Sequence, residues 1–418
     1  MGVSDLKQGL SSVLTTTVVI GALGYFVDIY DLVLFSIVRV PSLKYLGVPA
    51  DQLESVGIRL LNMQMSGMLL GGILWGVLGD KKGRVSVLFG SILMYSLANI
   101  ANGIIGWMHI DNPVGAYAWL RFIAGIGLAG ELGAAITLVA ETLPKERRGV
   151  GTSMVAGIGV SGAISAGLIG EFFSWQLAYI VGGMLGLMLL VARLRMFDSG
   201  MFKSVKGKAD VARGDLMILL RSPARLARYL NCILIGLPIW FVIGILVTFS
   251  REICADLGAT GPVSPGFAIM FAYSGLVIGD ISSGLVSQWL QSRKQAVGAF
   301  LAGTVLFVIL YLTSRNQTPS YYYGVCVLLG TAVGYWAMFV TIAAEQFGTN
   351  LRATVATTVP NFVRGGVVLI TSSFKFLSGD YGRIAAAAMV GAVCCALAGI
   401  ALWHLEESFH RDLDFLEE

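Results

Sequence analysis

Charged side chains are scarce in this chain. Asp, Glu, Lys and Arg together make up only 13% of its 418 residues, against about 25% in an average soluble domain. Hydrophobic residues account for 56%, and the mean hydropathy is +0.77. One or two membrane anchors could not raise the mean that far, so most of the chain must face lipid. The composition therefore excludes a soluble enzyme.

Catalytic and metal-binding motifs are absent from the sequence as well. It contains no GxSxG, HExxH or Walker A pattern, which would signal a serine nucleophile, a zinc site or ATP-driven chemistry. The five cysteines form no CxxC pair, and we interpret them as packing residues. We therefore expect no enzyme activity, no cofactor, no metal and no disulfide framework.

Long polar or proline-rich stretches are missing too. The chain has only 10 prolines, and extended disorder is thereby excluded. The net charge of +4 is spread over short loops rather than gathered on a patch with aromatic residues, so we expect no nucleic-acid partner. Met1 to Leu14 are largely polar and no A-x-A-type site follows the first apolar run, so we expect no cleavable signal peptide.

What the sequence does contain is a series of apolar runs. A membrane-spanning helix needs about 20 mostly apolar residues. Twelve runs reach that length, at 14–38, 57–78, 86–107, 115–141, 150–171, 176–195, 228–249, 265–287, 294–314, 320–343, 354–376 and 383–404. A count of eleven would follow if the short sixth run were merged or lost. We predict an all-α membrane protein with 12 transmembrane helices.

The loop charges favour an even number of helices with both termini in the cytoplasm. One set of loops carries most of the basic residues: Lys7, Lys81, Lys82, Arg84, Lys145, Arg147, Arg148, Arg293, Lys294, Arg352, Arg411 and the Lys/Arg-rich stretch from Arg193 to Arg228. The opposite set carries only Arg39, Lys44, Arg59, Arg251, Arg315 and Arg383. Basic residues concentrate in cytoplasmic loops, and an odd count would destroy this alternation.

The longest polar stretch, 196–227, divides the chain nearly in half. A repeat supports the division: Gly76–Arg84 after the second helix recurs at Gly284–Lys294 after the eighth, and Glu141–Gly149 recurs at Glu345–Thr354. The offsets are 208 and 204 residues. We predict an N-terminal six-helix half (1–195), a cytoplasmic central loop (196–227) and a C-terminal six-helix half with a short cytoplasmic tail (228–418).

The segment Gly76-Val-Leu-Gly-Asp80-Lys-Lys-Gly-Arg84 resembles the G-x-x-x-D-[RK]-x-G-R loop of the major facilitator superfamily. The second copy departs from it, because Gln288 stands where an Asp is usual and the spacing slips by one residue. The resemblance covers essentially the whole chain. It implies the major facilitator fold, with two six-helix halves.

Within that superfamily the chain looks most like the metabolite:proton symporters. Asp28-Ile-Tyr30-Asp31 is similar to their E-W-Y-D element and to the D-x-Y-D of phosphate:proton symporters. The run from Arg121 to Gly133 is close to their R-x-x-x-G-x-x-x-G-G-E, segment 198–202 resembles E-S-P-x-F, and Asn361 also fits. The resemblance implies proton-driven uptake of a small polar metabolite by alternating access.

Three carboxylates in the predicted spans are candidates for proton coupling: Asp28, Asp31 and Glu131. Ionisable groups inside a membrane are costly, and Asp28 and Asp31 share a helical face at i, i+3. Glu131 lies in a glycine-rich run that we expect to pack against Gly67, Gly71 and Gly72 of the second helix. Each carboxylate could instead be structural, and Glu131 could contact the substrate.

Two arginines are candidates for binding an anion, because a guanidinium holds a carboxylate or phosphate bidentately. Arg364 lies near the middle of the eleventh run, and Arg121 lies near the start of the fourth. Either could instead form a structural ion pair, Arg121 with Asp28 or Asp31. Asp280 in the eighth run could partner Arg364 or Lys375, and the sequence does not choose.

Two further groups complete the site prediction. The candidate substrate contacts, which could otherwise be packing residues, are Tyr30, Asn361, Trp240 and Trp336; Tyr273 and Tyr335 could also wall a cavity. The candidate cytoplasmic latch, whose charges could otherwise only set topology, is Asp80, Arg84, Glu141 and Arg148.

These observations predict a proton-coupled symporter of a small organic anion, such as a di- or tricarboxylate or a citrate-like carboxylate siderophore. The alternatives are a phosphate or sugar-phosphate carrier, a zwitterionic amino acid or nucleoside symporter, or an exporter. We expect the partners to be the anionic metabolite, protons and the lipid bilayer. We also expect a monomer in a bacterial inner membrane.

Overall fold

The computed structural model describes residues 16–82, 84–130, 148–198 and 222–409, and it is helical without strands over those residues. The first six helices are α1 (Thr16–Tyr45), α2 (Leu53–Lys82), α3 (Arg84–Ile105), α4 (Pro113–Leu128), α5 (Arg148–Phe172) and α6 (Trp175–Asp198). The last six are α7 (223–256, interrupted), α8 (Pro265–Leu290), α9 (Arg293–Thr313), α10 (319–345, interrupted), α11 (Thr349–Tyr381) and α12 (Arg383–His404). Each of the twelve predicted runs overlaps one of these helices.

Membrane-spanning character is clear from length and composition. Among the described residues, seven helical stretches are each long and apolar enough to cross a bilayer, and three shorter apolar stretches lie in α3, α4 and α5. Polar residues lower the hydropathy of α2 and α11, which nevertheless run for 30 and 33 residues. The chain is therefore a multi-pass membrane protein.

Helices α7 and α10 are both interrupted. The segments of α7 are Pro223–Leu234, Leu237–Phe241, a π-helical stretch Val242–Val247, and Ser250–Asp256. Pro238 cannot donate a backbone hydrogen bond, which favours the first break. Helix α10 consists of α10a (Pro319–Val333) and α10b (Trp336–Glu345), with the break at Gly334 and Tyr335.

Helix α1 is longer than the predicted run 14–38. It continues through Pro41 to Tyr45, and it carries Arg39, which we had predicted to lie in a loop. The Arg39 side chain is fully buried and its Nη2 lies 2.7 Å from Oε1 of Glu252 on α7. The loop prediction was wrong because a cation can end an apolar run in sequence and still remain inside a helix when a carboxylate partner is supplied by another helix.

Glycines allow several pairs of helices to approach closely, and two of these pairs position the site. A Cβ added to Gly67 or Gly71 of α2 would collide with the backbone of α4, and one added to Gly125 of α4 would collide with Gln64 of α2. The predicted packing is confirmed for Gly67, Gly71 and Gly125, whereas Gly72 faces Asn361 and Gly127 faces α3. In the same way, α8 packs on α10, where Gly275 and Gly279 meet α10a.

The first six helices meet the last six mainly where α2 packs on α11 and α5 packs on α8. Polar contacts join them at the end where α1 leads into α2, which we call the α1–α2 end. Beside the Arg39–Glu252 pair, Arg383 bonds both Glu54 (2.6 Å) and Asp256 (2.9 Å). These contacts hold the two groups of helices together at this end. The predicted boundaries at 195 and 228 stay predictions, because 199–221 lie outside the described residues.

Candidate substrate site

Asp28 of α1 and Arg364 of α11 face each other between the two groups of helices. Both side chains are fully buried, and Asp28 Oδ2 lies 3.9 Å from Arg364 Nη2. That separation is an ion pair but too long for a hydrogen bond. None of the three guanidinium nitrogens donates a hydrogen bond to any residue that the structure describes. Arg364 therefore keeps its hydrogen-bonding capacity for another acceptor.

Aromatic side chains surround this guanidinium. The Cζ atom of Arg364 lies 5.5 Å from the ring centroid of Trp336 on α10b, a cation–π distance. Trp240 of α7 meets Trp336 edge to face at 6.4 Å, and its Nε1 has no hydrogen-bond partner among the described residues. Tyr25 and Tyr273 lie within electrostatic reach of both Arg364 and Asp28. The site is a buried cation with aromatic walls.

Arg121 and Asp31 form a second charged cluster, among the first six helices. Arg121 donates a hydrogen bond to Gln64 on α2, and its Cζ lies 5.3 Å from the Phe35 ring and 5.6 Å from the Tyr179 ring. The charge of Asp31 lies close to that of Arg121. Substrate binding by Arg121 and proton coupling by Asp31 stay predictions, as does the coupling role of Asp28.

Two other predicted contacts are held by backbone groups. The Tyr30 hydroxyl donates to the Ala178 carbonyl on α6 at 2.9 Å, which points it into the first six helices. Asn361 Nδ2 donates to the Ala129 carbonyl at 3.0 Å, so it ties α11 to the end of α4. Asn361 Oδ1 has no partner among the described residues. Their roles as substrate contacts also stay predictions.

The predicted latch and one coupling candidate cannot be placed in full. Glu131 and Glu141 lie outside the described residues. Asp80, Arg84 and Arg148 belong to described helices, but their side chains are not among those described. The latch therefore stays a prediction.

Two site residues escaped the sequence-based list. Tyr25 lies three positions before Asp28 on α1, and this i, i+3 spacing would have placed it on the same face. Asp280 was considered only as an ion-pair partner. Instead, its Oδ1 accepts a hydrogen bond from the backbone N–H of Ala337 at 3.0 Å. No sequence signal marked that contact, because the break in α10 interrupts a uniformly apolar run.

Comparison with known families agrees with this architecture. The Major Facilitator Superfamily model matches residues 21–372. The chain belongs to the major facilitator superfamily. Members of this superfamily among its relatives are transporters rather than enzymes, and the chain is accordingly a transporter of small metabolites.

Three relatives show the range of cargo in similar members of the superfamily. A gentisate transporter of Corynebacterium glutamicum is 24% identical, over 83% of this chain and 77% of its own length. A niacin transporter of Acinetobacter baylyi is 23% identical, over 70% of this chain and 72% of its own length. The sialic acid transporter NanX of Escherichia coli is 24% identical, over 86% of each protein.

A solved structure supports the fold. The crystal structure of a D-xylose-proton symporter matches with a TM-score of 0.69 at 14% identity, covering 94% of this chain and 98% of that one. At this identity the match shows the major facilitator fold alone. The predicted fold class is thus confirmed.

Proposed function

We propose that this transporter is a proton-coupled symporter of a small organic monocarboxylate, with a preference for an aromatic one. The observation that carries the proposal is Arg364, a buried cation between the two groups of helices whose donors are unused by the described residues. An arginine fork binds a carboxylate through two parallel hydrogen bonds. The substrate carboxylate would supply the missing acceptors.

Asp28 gives this site a means of proton coupling. While Asp28 is ionised, it neutralises Arg364 across 3.9 Å. When Asp28 takes up a proton, the positive charge of Arg364 is left for the substrate anion. Proton and substrate would then occupy the site together, and rocking of the two groups of helices about it would carry both across the membrane.

The number of charges favours a monocarboxylate over the di- or tricarboxylate predicted from sequence. Among the described residues, Arg364 is the cation that faces the aromatic walls, and Asp28 already lies beside it. A second or third substrate carboxylate would enter this buried region without a matching cation there, which is costly. Trp336 and Trp240 instead offer faces and edges to a flat ring.

The names of the relatives support this choice of substrate class. Gentisate and niacin are aromatic acids, and sialic acid is a non-aromatic carboxylate. All three share the group that Arg364 would bind. We propose that the aromatic walls give the site a preference for carboxylates that carry an aromatic ring. These walls are formed by Trp240, Trp336, Tyr25 and Tyr273.

The bacterial relatives support a bacterial inner membrane, and the loop charges support both termini in the cytoplasm. The Lys- and Arg-rich loops would then lie inside, and the α1–α2 end would face outward. The Arg39–Glu252 and Arg383 contacts close that end, so the site would be sealed from the outside in this conformation. We propose that the working unit is a monomer, because Asp28 and Arg364 of a single chain already supply both sides of the site.

Uptake into proteoliposomes tests the proposal. Radiolabelled benzoate, nicotinate, gentisate, citrate and phosphate would be supplied with and without an inward proton gradient. We expect gradient-driven uptake of at least one aromatic monocarboxylate and its loss in Arg364→Gln. Lys375→Gln is the matched control, because it removes an exposed cation from the same helix.

Two outcomes would overturn the proposal. If citrate or phosphate accumulated and none of the aromatic acids did, the proposed substrate class would be wrong. Normal aromatic-acid uptake by Arg364→Gln, in protein shown to be folded by thermal unfolding, would reduce Arg364 to a structural residue.

A further inference from the structure

The break in α10 leaves the start of α10b in need of hydrogen-bond acceptors. The first backbone N–H groups of any helix have no partner within it. Here Asp280 of α8 supplies the acceptor, because its Oδ1 lies 3.0 Å from the Ala337 nitrogen. The backbone N–H of Trp336 also interacts favourably with this carboxylate. A side chain from a neighbouring helix thus caps α10b.

Close glycine packing fixes the carboxylate in this position. A Cβ on Gly279, the residue before Asp280, would collide with the Thr331 carbonyl and lie 2.6 Å from Gly334 Cα. The backbones of α8 and α10 therefore touch beside the break. The backbone at Asp280 cannot move away from α10b without separating the two helices.

Asp280 does not lie on the lipid-facing side of α8. Ile278, Ile281 and Leu285 are exposed large apolar residues that mark that side. Asp280 follows Tyr273 by seven residues, two helical turns, and so shares its side of the helix. Tyr273 and Tyr25 connect this side to the site, since Tyr25 lies within electrostatic reach of both Asp280 and Arg364.

The capped residue is itself part of the site. Trp336 is the first residue of α10b. Its ring lies 5.5 Å from Arg364 Cζ and 6.4 Å from the ring of Trp240. Any shift of the first turn of α10b would move this ring relative to both neighbours. An intramembrane carboxylate is costly to retain, and this contact accounts for its presence.

We propose that Asp280 is a positioning residue, whose carboxylate holds the first turn of α10b and thereby sets the Trp336 ring against Arg364 for recognition of a substrate ring. The inference rests on the proposed function, in that the ring belongs to the substrate. It assigns to α8 a part in specificity without direct contact with the substrate.

Discrimination between two rings of similar size tests the proposal. Uptake of benzoate and of cyclohexanecarboxylate would be measured for wild type, Asp280→Ala, Trp336→Ala and the double variant. We expect each single variant to lower the preference for benzoate, in KM, by about two- to tenfold, the range for one aromatic contact. The double variant should lose no more than Trp336→Ala alone, because both act through one ring.

Two further variants separate positioning from a general structural role. Asp280→Asn retains an acceptor oxygen and should keep most of the benzoate preference. Ser282→Ala, on the lipid-facing side of the same helix, should leave it unchanged. A fully additive double variant, or an Asp280→Ala protein with the wild-type KM ratio, would overturn the proposal.

Hydrogen exchange gives a second readout that requires no substrate. We expect the amides of Trp336 and Ala337 to exchange faster in Asp280→Ala than in wild type, while amides of α12 do not change. Unaltered exchange at α10b would refute the cap. If wild type transported neither probe, the proposed function would fail, but this measurement would still decide whether Asp280 holds α10b.

Discussion

Two buried arginines, Arg121 and Arg364, invite comparison because their surroundings use the same residue types. Each has no exposed surface and lies near an aspartate of α1, Asp31 for Arg121 and Asp28 for Arg364. Arg121 bonds Gln64 and lies against two aromatic rings, all within the first six helices. Arg364 spans the two groups of helices, with an ion pair of 3.9 Å and one tryptophan beneath it.

We interpret the difference as one between a charge that supports the fold and a charge that is available to a ligand. Removing a charge from water is expensive unless hydrogen bonds replace those that water made. One of the three guanidinium nitrogens of Arg121 donates a hydrogen bond within its own group of helices, which helps to meet this cost. For Arg364 the described residues provide none, and an anionic substrate would complete its surroundings.

The largest expected effect on uptake comes from a substitution at Arg364 that keeps the positive charge but removes the bidentate guanidinium. Arg364→Lys should raise KM for benzoate about tenfold or more, because an ammonium cannot bond a carboxylate bidentately. Arg121→Lys should change KM less than about twofold if Arg121, which donates to Gln64, serves the fold rather than the substrate. Initial uptake rates across benzoate concentrations give the KM of both variants. Equal changes in KM would mean that the two arginines do not differ in their role toward the substrate.

Substitution of Asp28 should impair proton-driven accumulation more than substitution of Asp31. Asp28→Asn cannot exchange a proton, so we expect proton-driven accumulation to fall about tenfold or more while counterflow exchange of preloaded benzoate persists. Asp31→Asn should retain accumulation if Asp31 serves Arg121. Accumulation and counterflow are measured in the same proteoliposomes for both variants. Loss of accumulation in Asp31→Asn but not in Asp28→Asn would mean that Asp31, rather than Asp28, couples the proton.

A smaller effect, on stability rather than uptake, should follow from the partner of Arg121. Gln64→Leu removes the acceptor and leaves a buried donor unsatisfied, which costs on the order of 1–3 kcal/mol. Asn62→Leu, on the same helix but bonded to Thr371 of α11, is the control for loss of an inter-half contact. Thermal unfolding in detergent measures both, and an unchanged melting temperature in Gln64→Leu would show that Arg121 is held by other groups.

The smallest effect concerns a carboxylate outside the membrane, which shows how a fully satisfied charge behaves. Burial raises the pKa of Glu407, but hydrogen bonds from Ser292 and from the backbone N–H of Arg293, Phe409 and Lys294 outweigh burial and hold its pKa below the usual value. Its contribution to stability is therefore present above the pKa of the unfolded chain and is lost as pH falls through the lower native pKa.

Glu407→Gln should accordingly lower the melting temperature slightly near roughly pH 7, with the difference from wild type shrinking as the pH is lowered below roughly 4. Uptake of benzoate should not change. Thermal unfolding over this pH range provides the measurement. A difference that grew on acidification would mean that the carboxylate is not stabilised in its ionised form.

The sequence predicted the helix number and class because each span needs a long apolar run, and those runs are visible without tertiary information. It did not predict that α1 extends through Arg39, because the compensating Glu252 lies 213 residues away. The break at Gly334 and Tyr335 was also missed, since apolar residues flank it on both sides. Features that depend on a partner helix were the ones that the pattern could not supply.

The site was predicted in part for the same reason. Asp28, Arg364, Trp240 and Trp336 were all candidates, and the structure brings them together. The i, i+3 spacing suggested that Asp31 would join them. Three residues correspond to about 300° of rotation, so the two side chains differ by about 60°. That difference is enough to direct Asp28 toward α11 and Asp31 toward α4, a choice that only helix packing decides.

The π-helical stretch of α7 links chain length to closure of the α1–α2 end. The Thr248 N–H bonds the Ile243 carbonyl five residues back, at 3.1 Å, so each turn there holds more residues than an α-helical turn. Deleting one residue from Val242–Val247 and closing the gap with α-helical turns would leave the rest of α7 in place, because a π-helical turn takes up about one residue more than an α-helical turn. Glu252 would still face Arg39. In evolutionary terms, a one-residue deletion costs less here than in an α-helical part of α7, where it would rotate the following residues by about 100° and separate the closing pair.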